Sequence, residues 1–177
     1  MHVFGASGSG TTTLSRALAT RVGVSHFDAD DYYWRPTEPP FTDKYPPERR
    51  VEMLSADLDR AHEWVVSGSM CGWGDVFARR FTLAVYLWIP SEVRMQRLEA
   101  RERARYGARI DAGGDLHQQN QAFLDWARRY DSAGLEQRSR ALHEWWIGTL
   151  RCQVMRIEGD APVETWIGAV LDRLYAR

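Results

Sequence analysis

A glycine-rich segment near the start of the chain has the composition of an anion-binding loop. It runs from Gly5 to Thr12, follows the apolar residues Met1 to Phe4, and has the spacing of the pattern GxxxxGK[ST]. In that pattern consecutive backbone N–H groups and a helix N-terminus surround a phosphate, and glycines let the phosphate approach the main chain. The Thr12 hydroxyl lies at the position of a Mg²⁺ ligand. The predicted nucleotide contacts are Gly5, Ser7, Gly8, Ser9, Gly10, Thr11, Thr12 and Thr13. The alternative is a glycine-rich turn without a ligand.

Thr11 is the one departure from this pattern, which has a lysine at that position. The lysine contacts the β- and γ-phosphates during transfer. A threonine can donate a hydrogen bond but brings no charge, and Lys44 is the only lysine of the chain. Two interpretations stay open. Either another cation (Arg16, Lys44 or an arginine between 94 and 109) replaces the lysine, or the protein binds nucleotide weakly and catalyses poorly or not at all.

A cluster of acids follows the second predicted strand, in the sequence His26-Phe27-Asp28-Ala29-Asp30-Asp31. On an extended chain Asp28 and Asp30 would point the same way. One carboxylate could then hold Mg²⁺ and the other could accept the proton of an attacking hydroxyl. The alternative is a helix N-cap with solvated acids. The next aromatic residues, Tyr32 to Trp34, are equally compatible with stacking on a ligand and with the core.

An arginine-rich helix is predicted from about Ser91 to Arg105. Between residues 94 and 109 the chain has six arginines and two glutamates. A helical repeat places four of them on one face. These four are Arg94, Arg97, Arg101 and Arg105. Such a face suits the binding of phosphate and of transition-state charge, and the glycine-containing break at 107–114 would let the region close as a lid. The alternative is a solvated face paired with acids such as Glu99 and Glu102.

Two aromatic segments are harder to interpret. Trp73 lies between Gly72 and Gly74, and the glycines suggest that the backbone approaches a ligand, so Trp73 is a candidate substrate contact. His143-Glu144 lies in a predicted helix beside two tryptophans, and we expect a structural role for it.

The elements that position these residues alternate between strands and helices. Apolar strands are predicted at 1–4, 24–28, 64–68, 81–89 and 152–157, separated by stretches with helical periodicity. This order predicts an α/β fold in which helices cover both faces of a parallel sheet, in one domain spanning residues 1–177. Ligands bind such sheets at the carboxyl ends of the strands. The phosphate loop, the acids and the turn after residue 66 all lie there.

Four motifs taken together resemble those of the P-loop kinases of small molecules, the group that contains adenylate and shikimate kinases. They are similar above all to those of adenylate-kinase-like proteins often labelled AAA-family ATPases. The motifs are Gly5–Leu14, Phe27–Trp34, Trp64–Asp75 and Arg101–Gly107. The resemblance implies a three-layer fold with a five-stranded parallel sheet and a helical lid at about 101–130.

The same resemblance implies roles for individual residues. Asp28 matches a carboxylate near Mg²⁺, and Asp30 one that contacts the acceptor hydroxyl. Arg97 and Arg101 match a lid pair, one packing on adenine and one on phosphate, so both are candidate catalytic residues with Asp28 and Asp30. Gly159 lies in the implied adenine loop. For the substrate, the resemblance implies contacts by Asp30, by Arg49 or Arg50, and by the backbone of the turn at Gly68 and Ser69. Trp34 and Trp73, inferred from the residues themselves, complete the candidate substrate residues.

Composition limits the remaining possibilities. The net charge is −1, which does not favour a nucleic-acid-binding protein. The apolar runs are shorter than the roughly 18 residues that span a membrane, and the two cysteines have no metal-binding spacing. We therefore expect a cytoplasmic monomer or homodimer that uses ATP and Mg²⁺ to phosphorylate a small molecule, nucleoside or nucleotide. The alternative is a catalytically weak or inactive nucleotide-binding regulator.

Overall fold

A five-stranded parallel sheet forms the centre of the protein, whose computed structural model describes residues 1–176. The strands are β1 (His2–Gly5), β2 (Ser25–Asp28), β3 (Trp64–Ser67), β4 (Leu83–Trp88) and β5 (Gln153–Glu158). Their order in the sheet is β2-β3-β1-β4-β5, and every neighbouring pair is parallel. The predicted α/β fold is confirmed.

Helices cover both faces of this sheet. They are α1 (Thr11–Val22), α2 (Ala29–Tyr33), α3 (Pro47–Arg60), α4 (Ser91–Tyr106), α5 (His117–Arg128), α6 (Arg140–Thr149) and α7 (Val163–Tyr175). Short 3₁₀ turns lie at Asp75–Arg80, Gly107–Ile110 and Arg129–Asp131. Because side chains alternate along a strand, Val3 and Val85 pack in one core while Phe4 and Tyr86 pack in the other. β4 is buried on both faces, as its continuous apolar run predicts.

The short helix α2 differs from the extended chain that we expected after β2. Asp28 caps it, because its Oδ1 accepts a hydrogen bond from the backbone N–H of Asp30 at 3.1 Å. The prediction that Asp28 and Asp30 point the same way on an extended chain is therefore wrong. Asp30 instead lies in the first turn of a helix that begins at the end of the strand.

The start of α6 is fixed at Arg140 by its cap. Ser139 caps this helix by accepting a hydrogen bond from the backbone N–H of Leu142 at 2.9 Å. Residues 134–138 are consequently free to follow an irregular path, and this path carries Arg138 to the site described below.

None of the helices in residues 1–176 combines the length and the apolar character that crossing a membrane requires.

Candidate active site

The phosphate loop is shaped by its glycines. Gly8 and Gly10 have φ angles of 80° and 92°, in the left-handed region that favours glycine. A Cβ atom on Gly5 would lie 2.3 Å from the carbonyl oxygen of Leu87, and one on Gly8 would lie 2.7 Å from that of Arg94. The loop therefore fits between the end of β4 and the first turn of α4, and leads directly into the N-terminus of α1.

Ser9, one of the predicted nucleotide contacts, helps to close the phosphate loop. Its hydroxyl is buried and donates to the carbonyl oxygen of Ala6 at 2.7 Å, and its backbone N–H donates to the same oxygen at 3.2 Å. Both donors of Ser9 are thus used within the loop, so we expect the phosphate contacts to come from the neighbouring amides and the start of α1. The predicted nucleotide contacts of the loop stay predictions.

Thr12 and Asp28 lie side by side at the mouth of the loop. The Thr12 hydroxyl donates to Oδ2 of Asp28 at 2.8 Å, although the two residues belong to different elements. Magnesium in phosphoryl-transfer sites is held by one or two protein oxygens together with phosphate oxygens and water. No group of three or more His, Cys, Asp and Glu side chains within residues 1–176 forms a fuller metal cage. The Thr12–Asp28 pair fits a Mg²⁺ ion whose remaining ligands are phosphate oxygens and water.

Asp30 follows this pair in the first turn of α2. Half of its side chain is exposed, and Nη2 of Arg138 is 3.9 Å from its Oδ1. Desolvation raises the pKa of the Asp30 carboxyl; Arg138 opposes the rise, Asp28 adds to it, and Arg101 and Arg105 also oppose it. A carboxyl with a raised pKa next to several cations is a candidate proton acceptor.

Arg138 is the residue of this site that sequence reasoning missed. It lies more than 100 residues after Asp30, in an irregular segment without a motif. Its side chain is 23% exposed, and its guanidinium lies 5.6 Å from the ring centroid of Trp126. Its chain position carried no signal, since only the path between α5 and α6 brings it to the end of β2.

Of the two predicted substrate arginines, the structure turns Arg50 inward and Arg49 outward. Arg50 is 8% exposed, lies 3.8 Å from the ring centroid of Tyr33 and donates to the carbonyl oxygen of Tyr45 at 2.6 Å. Arg49 is half exposed and pairs with Glu52 at 2.8 Å on the surface of α3. Arg49 is therefore replaced by Arg50 as the candidate substrate arginine.

Trp34 packs against the neighbouring ring of Tyr33. The two rings meet edge to face, and the ammonium group of Lys44 lies 5.4 Å from the Trp34 centroid. This cation–π contact holds Lys44 against the aromatic rings. Lys44 therefore has no contact with Thr11 that would make it the missing lysine.

The turn after β3 is held by histidines. His26 Nε2 lies 3.0 Å from the hydroxyl of Ser67, and His2 Nε2 donates to the carbonyl oxygen of Gly68 at 2.8 Å. Gly68 has a φ of 96°, and a Cβ atom there would lie 3.1 Å from that of Ala29. The turn therefore packs directly on the first residue of α2. Burial lowers the pKa of His2 to about 4, so it is neutral at physiological pH.

The side chains of Ser69 and Trp73 face the core, which argues against the predicted substrate contact of the Trp73 ring and leaves the predicted backbone role of Ser69 as a prediction. The Ser69 hydroxyl is 3.0 Å from Nε2 of His143, whose Nδ1 is 2.8 Å from the hydroxyl of Tyr130. Trp73 is 6% exposed and packs edge to face on Phe77. Ser69 can line the acceptor pocket through its backbone alone, and the ring of Trp73 is not accessible. Burial lowers the pKa of His143 to about 3, consistent with the structural role that we expected.

The arginine face of α4 divides into a buried and an exposed part. Arg94 is fully buried, donates from Nε to the carbonyl oxygen of Ile89 at 2.9 Å and pairs with Asp131, so it is a structural residue. Arg97 is partly exposed and pairs with Asp160 at 2.5 Å. Gly159, with a φ of 86°, precedes that aspartate. The contact joins α4 to the predicted adenine loop.

Comparisons with known proteins identify the family and the fold of the chain. A family model described as "AAA domain" matches residues 2–121. The uncharacterized protein YqaC of Bacillus subtilis (strain 168) is 47% identical over 174 residues, which cover 98% of this chain and 96% of the relative.

Two solved structures show the same fold. Shikimate kinase from Acinetobacter baumannii, solved in complex with shikimate, has a TM-score of 0.56 at 18% identity and covers 99% of this chain and 92% of its own. A sugar kinase from Janibacter sp. has a TM-score of 0.52 at 19% identity, with coverage of 98% and 92%. The chain thus belongs to the AAA domain family and has the fold of the P-loop small-molecule kinases.

Proposed function

We propose that this protein is an ATP-dependent phosphotransferase that acts on a small hydroxyl-bearing acceptor. The observation that carries the proposal is the 2.8 Å contact between Thr12 and Asp28 at the mouth of the phosphate loop, with Asp30 in the adjoining helical turn. It brings a candidate metal pair and a candidate proton acceptor together at the carboxyl edge of the sheet, where ligands of such folds bind.

On the nucleotide side, the amides of the loop and the start of α1 bind the phosphates. Thr12 and Asp28 hold Mg²⁺, which supplies neutralisation of phosphate charge when it is bound. Gly159 and the Arg97–Asp160 contact lie at the end where the resemblance places adenine. Arg101 contributes positive charge toward the transferring group.

On the acceptor side, Asp30 orients the hydroxyl and receives its proton. The hydroxyl oxygen forms a bond to the γ-phosphorus, and the bond from that phosphorus to the β–γ bridging oxygen breaks. The proton passes to the Asp30 carboxylate, and ADP leaves with the bridging oxygen. The proposed acceptor contacts are Trp34, Arg50 and the backbone at Gly68, together with Arg138, which lies 3.9 Å from Asp30.

The helical region at 101–130 is proposed as a lid. Arg109 pairs with Glu38 at 2.8 Å, and the Gln119 side chain donates to the carbonyl oxygen of Pro40 at 2.9 Å. These contacts join the region to the loop that follows α2, the helix that carries Asp30. Closure of this kind excludes water from phosphoryl transfer.

The acceptor class rests on chemistry and on the structural neighbours. A carboxylate proton acceptor suits a hydroxyl, and the neighbours are kinases of shikimate and of a sugar, which both carry hydroxyl groups. The cytoplasmic location and the monomeric or homodimeric state stay predictions.

The test is an acceptor panel. Hydroxy acids, sugars, nucleosides and nucleoside monophosphates are incubated with ATP and Mg²⁺, and ADP release is followed. We expect one acceptor class to raise ADP release well above the background hydrolysis, and Asp28→Asn to lower it. Nucleotide binding without turnover on any acceptor would contradict the proposal.

Thr11 supports a second candidate function, a nucleotide-binding regulator without catalysis. The variant Thr11→Lys separates the two. If the natural protein is a kinase with an altered charge arrangement, the added lysine lowers its turnover. If the lysine creates turnover where the natural protein has none, the regulator is the correct assignment.

A further inference from the structure

Glu102 is a buried carboxylate on the otherwise exposed, arginine-rich second half of α4. It is 5% exposed, whereas Arg101 and Arg105 are each more than 40% exposed. A buried carboxylate is costly unless cations or hydrogen-bond donors pair with it. Its position therefore calls for a partner.

Its partners are two of the candidate phosphate-binding arginines. Nε and Nη2 of Arg101 both lie 2.9 Å from Oε1 of Glu102, and Nη1 of Arg105 lies 3.8 Å from the same oxygen. Consecutive residues of a helix point about 100° apart, so Arg101 must fold its side chain back along the helix to make this contact. Its guanidinium also lies 5.7 Å from the ring centroid of Phe123 on α5. Arg101 is held on two sides.

The two arginines continue the arginine face of α4 that borders the candidate nucleotide site. They follow Arg97 at intervals of four residues, and Arg97 on that face pairs with Asp160 at 2.5 Å. The preceding turns of α4 pack on the phosphate loop, since a Cβ atom on Gly8 would lie 3.0 Å from Cγ of Leu98. The pair thus lies on a helix that packs against the phosphate loop, on the face that borders the candidate nucleotide site.

We propose that Glu102 is a positioning residue that holds Arg101 and Arg105 as a fixed pair toward the terminal phosphate. The pair supplies the charge that the loop lacks because position 11 is a threonine. This inference rests on the proposed function, because it assumes a bound nucleoside triphosphate. A charge-assisted pair fixed before binding spares the ordering of two flexible side chains.

The experiment compares Glu102→Gln with Glu99→Gln. Glu99 precedes Glu102 by one turn of α4, is about half exposed and pairs with Arg128 at 3.1 Å. Both variants remove one negative charge from the same helix, so general electrostatics affects them alike. Calorimetry gives the affinities for Mg-ATP and Mg-ADP, and their ratio reports contacts to the terminal phosphate.

We expect Glu102→Gln to lower the ATP-to-ADP affinity ratio by about tenfold, a magnitude typical of a charge-assisted contact, while Glu99→Gln changes it by less than twofold. Arg101→Lys keeps the charge but loses the Nε contact, and we expect a similar loss. The double variant should lose little more than either single one, because both act through the same contact. A purely structural role for Glu102 would not change the ratio.

Failure of the proposed function and failure of the positioning role of Glu102 give different results in this experiment. If the unmodified protein shows no heat with Mg-ATP, the proposed function fails. If it binds Mg-ATP and prefers it to Mg-ADP, but Glu102→Gln matches Glu99→Gln or tightens ATP binding, the positioning role of Glu102 is overturned. Should Glu102→Gln not fold, Arg101→Lys and the Glu99→Gln control decide the question, because an unchanged ratio in Arg101→Lys also overturns it.

Discussion

The nucleotide side and the acceptor side of the candidate site are built in different ways. The nucleotide side is eight consecutive residues whose main chain is forced into shape by contacts such as that of Gly8 with Arg94. The acceptor side is assembled from side chains that are far apart in the chain, including Asp30, Arg50 and Arg138. A contiguous loop binds what all nucleotides share, whereas a dispersed set of side chains can change with the acceptor.

Because of this difference, we expect substitutions on the acceptor side and in the loop to have different effects on nucleotide binding. A change in the acceptor side should leave nucleotide binding intact, and a change in the loop should remove both. Each of the following variants tests or sharpens that separation.

Asp30→Asn should have the largest effect on turnover. Loss of the proton acceptor is expected to lower the rate of transfer by about 10²- to 10⁴-fold, while Mg-ATP affinity stays within threefold of the unmodified value. ADP release and calorimetry measure the two quantities. Asp31→Asn, the next residue along α2, is the control. Equal losses of affinity and turnover in Asp30→Asn would show that the two sides are not separate.

The pH dependence of the same residue follows from its raised pKa. Transfer needs the Asp30 carboxylate, so the rate should fall with decreasing pH at a value above 3.8, the ordinary Asp pKa. Stability has the opposite sign. Between 3.8 and the folded-state pKa the native protein binds more protons than the unfolded chain, so this contribution to stability is lost as the pH rises.

Asp30→Asn should therefore also raise the Tm at pH 7, because it removes a charge that the fold disfavours. Thermal unfolding at pH 4 and pH 7 measures this, and the gain should be larger at pH 7. A lower Tm in the variant at pH 7 would mean that the ionised carboxylate stabilises the fold.

Tyr130→Phe tests the buried hydrogen-bond network that links Tyr86, Tyr130, His143 and Ser69. The Tyr130 hydroxyl lies 2.8 Å from both the Tyr86 hydroxyl and Nδ1 of His143, so removing it leaves two buried polar groups without this partner. We expect a loss of about 1–3 kcal/mol in the free energy of unfolding, measured in urea. Tyr175→Phe, at a position that is 70% exposed, should change it by less than about 0.5 kcal/mol. Equal effects would show that the network does not stabilise the fold.

The pair Arg50→Ala and Arg49→Ala should show the smallest effects and the sharpest contrast. Arg50 contacts the Tyr33 ring and the carbonyl oxygen of Tyr45, so we expect a cost of about 1–2 kcal/mol in stability and a higher KM for the acceptor. Arg49 pairs with Glu52 at the surface, where such pairs contribute little. A larger effect on the acceptor KM from Arg49→Ala would assign the substrate contact to Arg49 instead.

The parts of the fold and of the candidate site that depend on local properties could be predicted from the sequence. The phosphate loop, Thr12 and Asp28 could be predicted as candidate site residues because their spacing and their place after buried strands are local properties. The alternation of strands and helices likewise predicted the parallel sheet, since each element has its own periodicity.

The errors concern the path of the chain after β2 and the packing of side chains. Asp30 lies in a helical turn capped by Asp28 and not on an extended chain. Trp73 fills the core because packing decides which side of an element is buried, and the choice between Arg49 and Arg50, which the sequence left open, depends on packing in the same way. Arg138 carries no motif, and its role depends on the path of the chain between α5 and α6.

The most direct test of the account is calorimetry with Mg-ATP on the unmodified protein and on Gly8→Ala. The added methyl group would meet the Arg94 carbonyl at a φ of 80°, so the loop must distort, whereas Gly148→Ala in α6 has no atom within 4 Å of the new Cβ and serves as the control. We expect Mg-ATP to bind saturably at one site of the unmodified protein and of Gly148→Ala, and to bind Gly8→Ala at least about a hundredfold more weakly. Absence of heat from the unmodified, folded protein at millimolar Mg-ATP, or unchanged affinity in Gly8→Ala, would contradict the account.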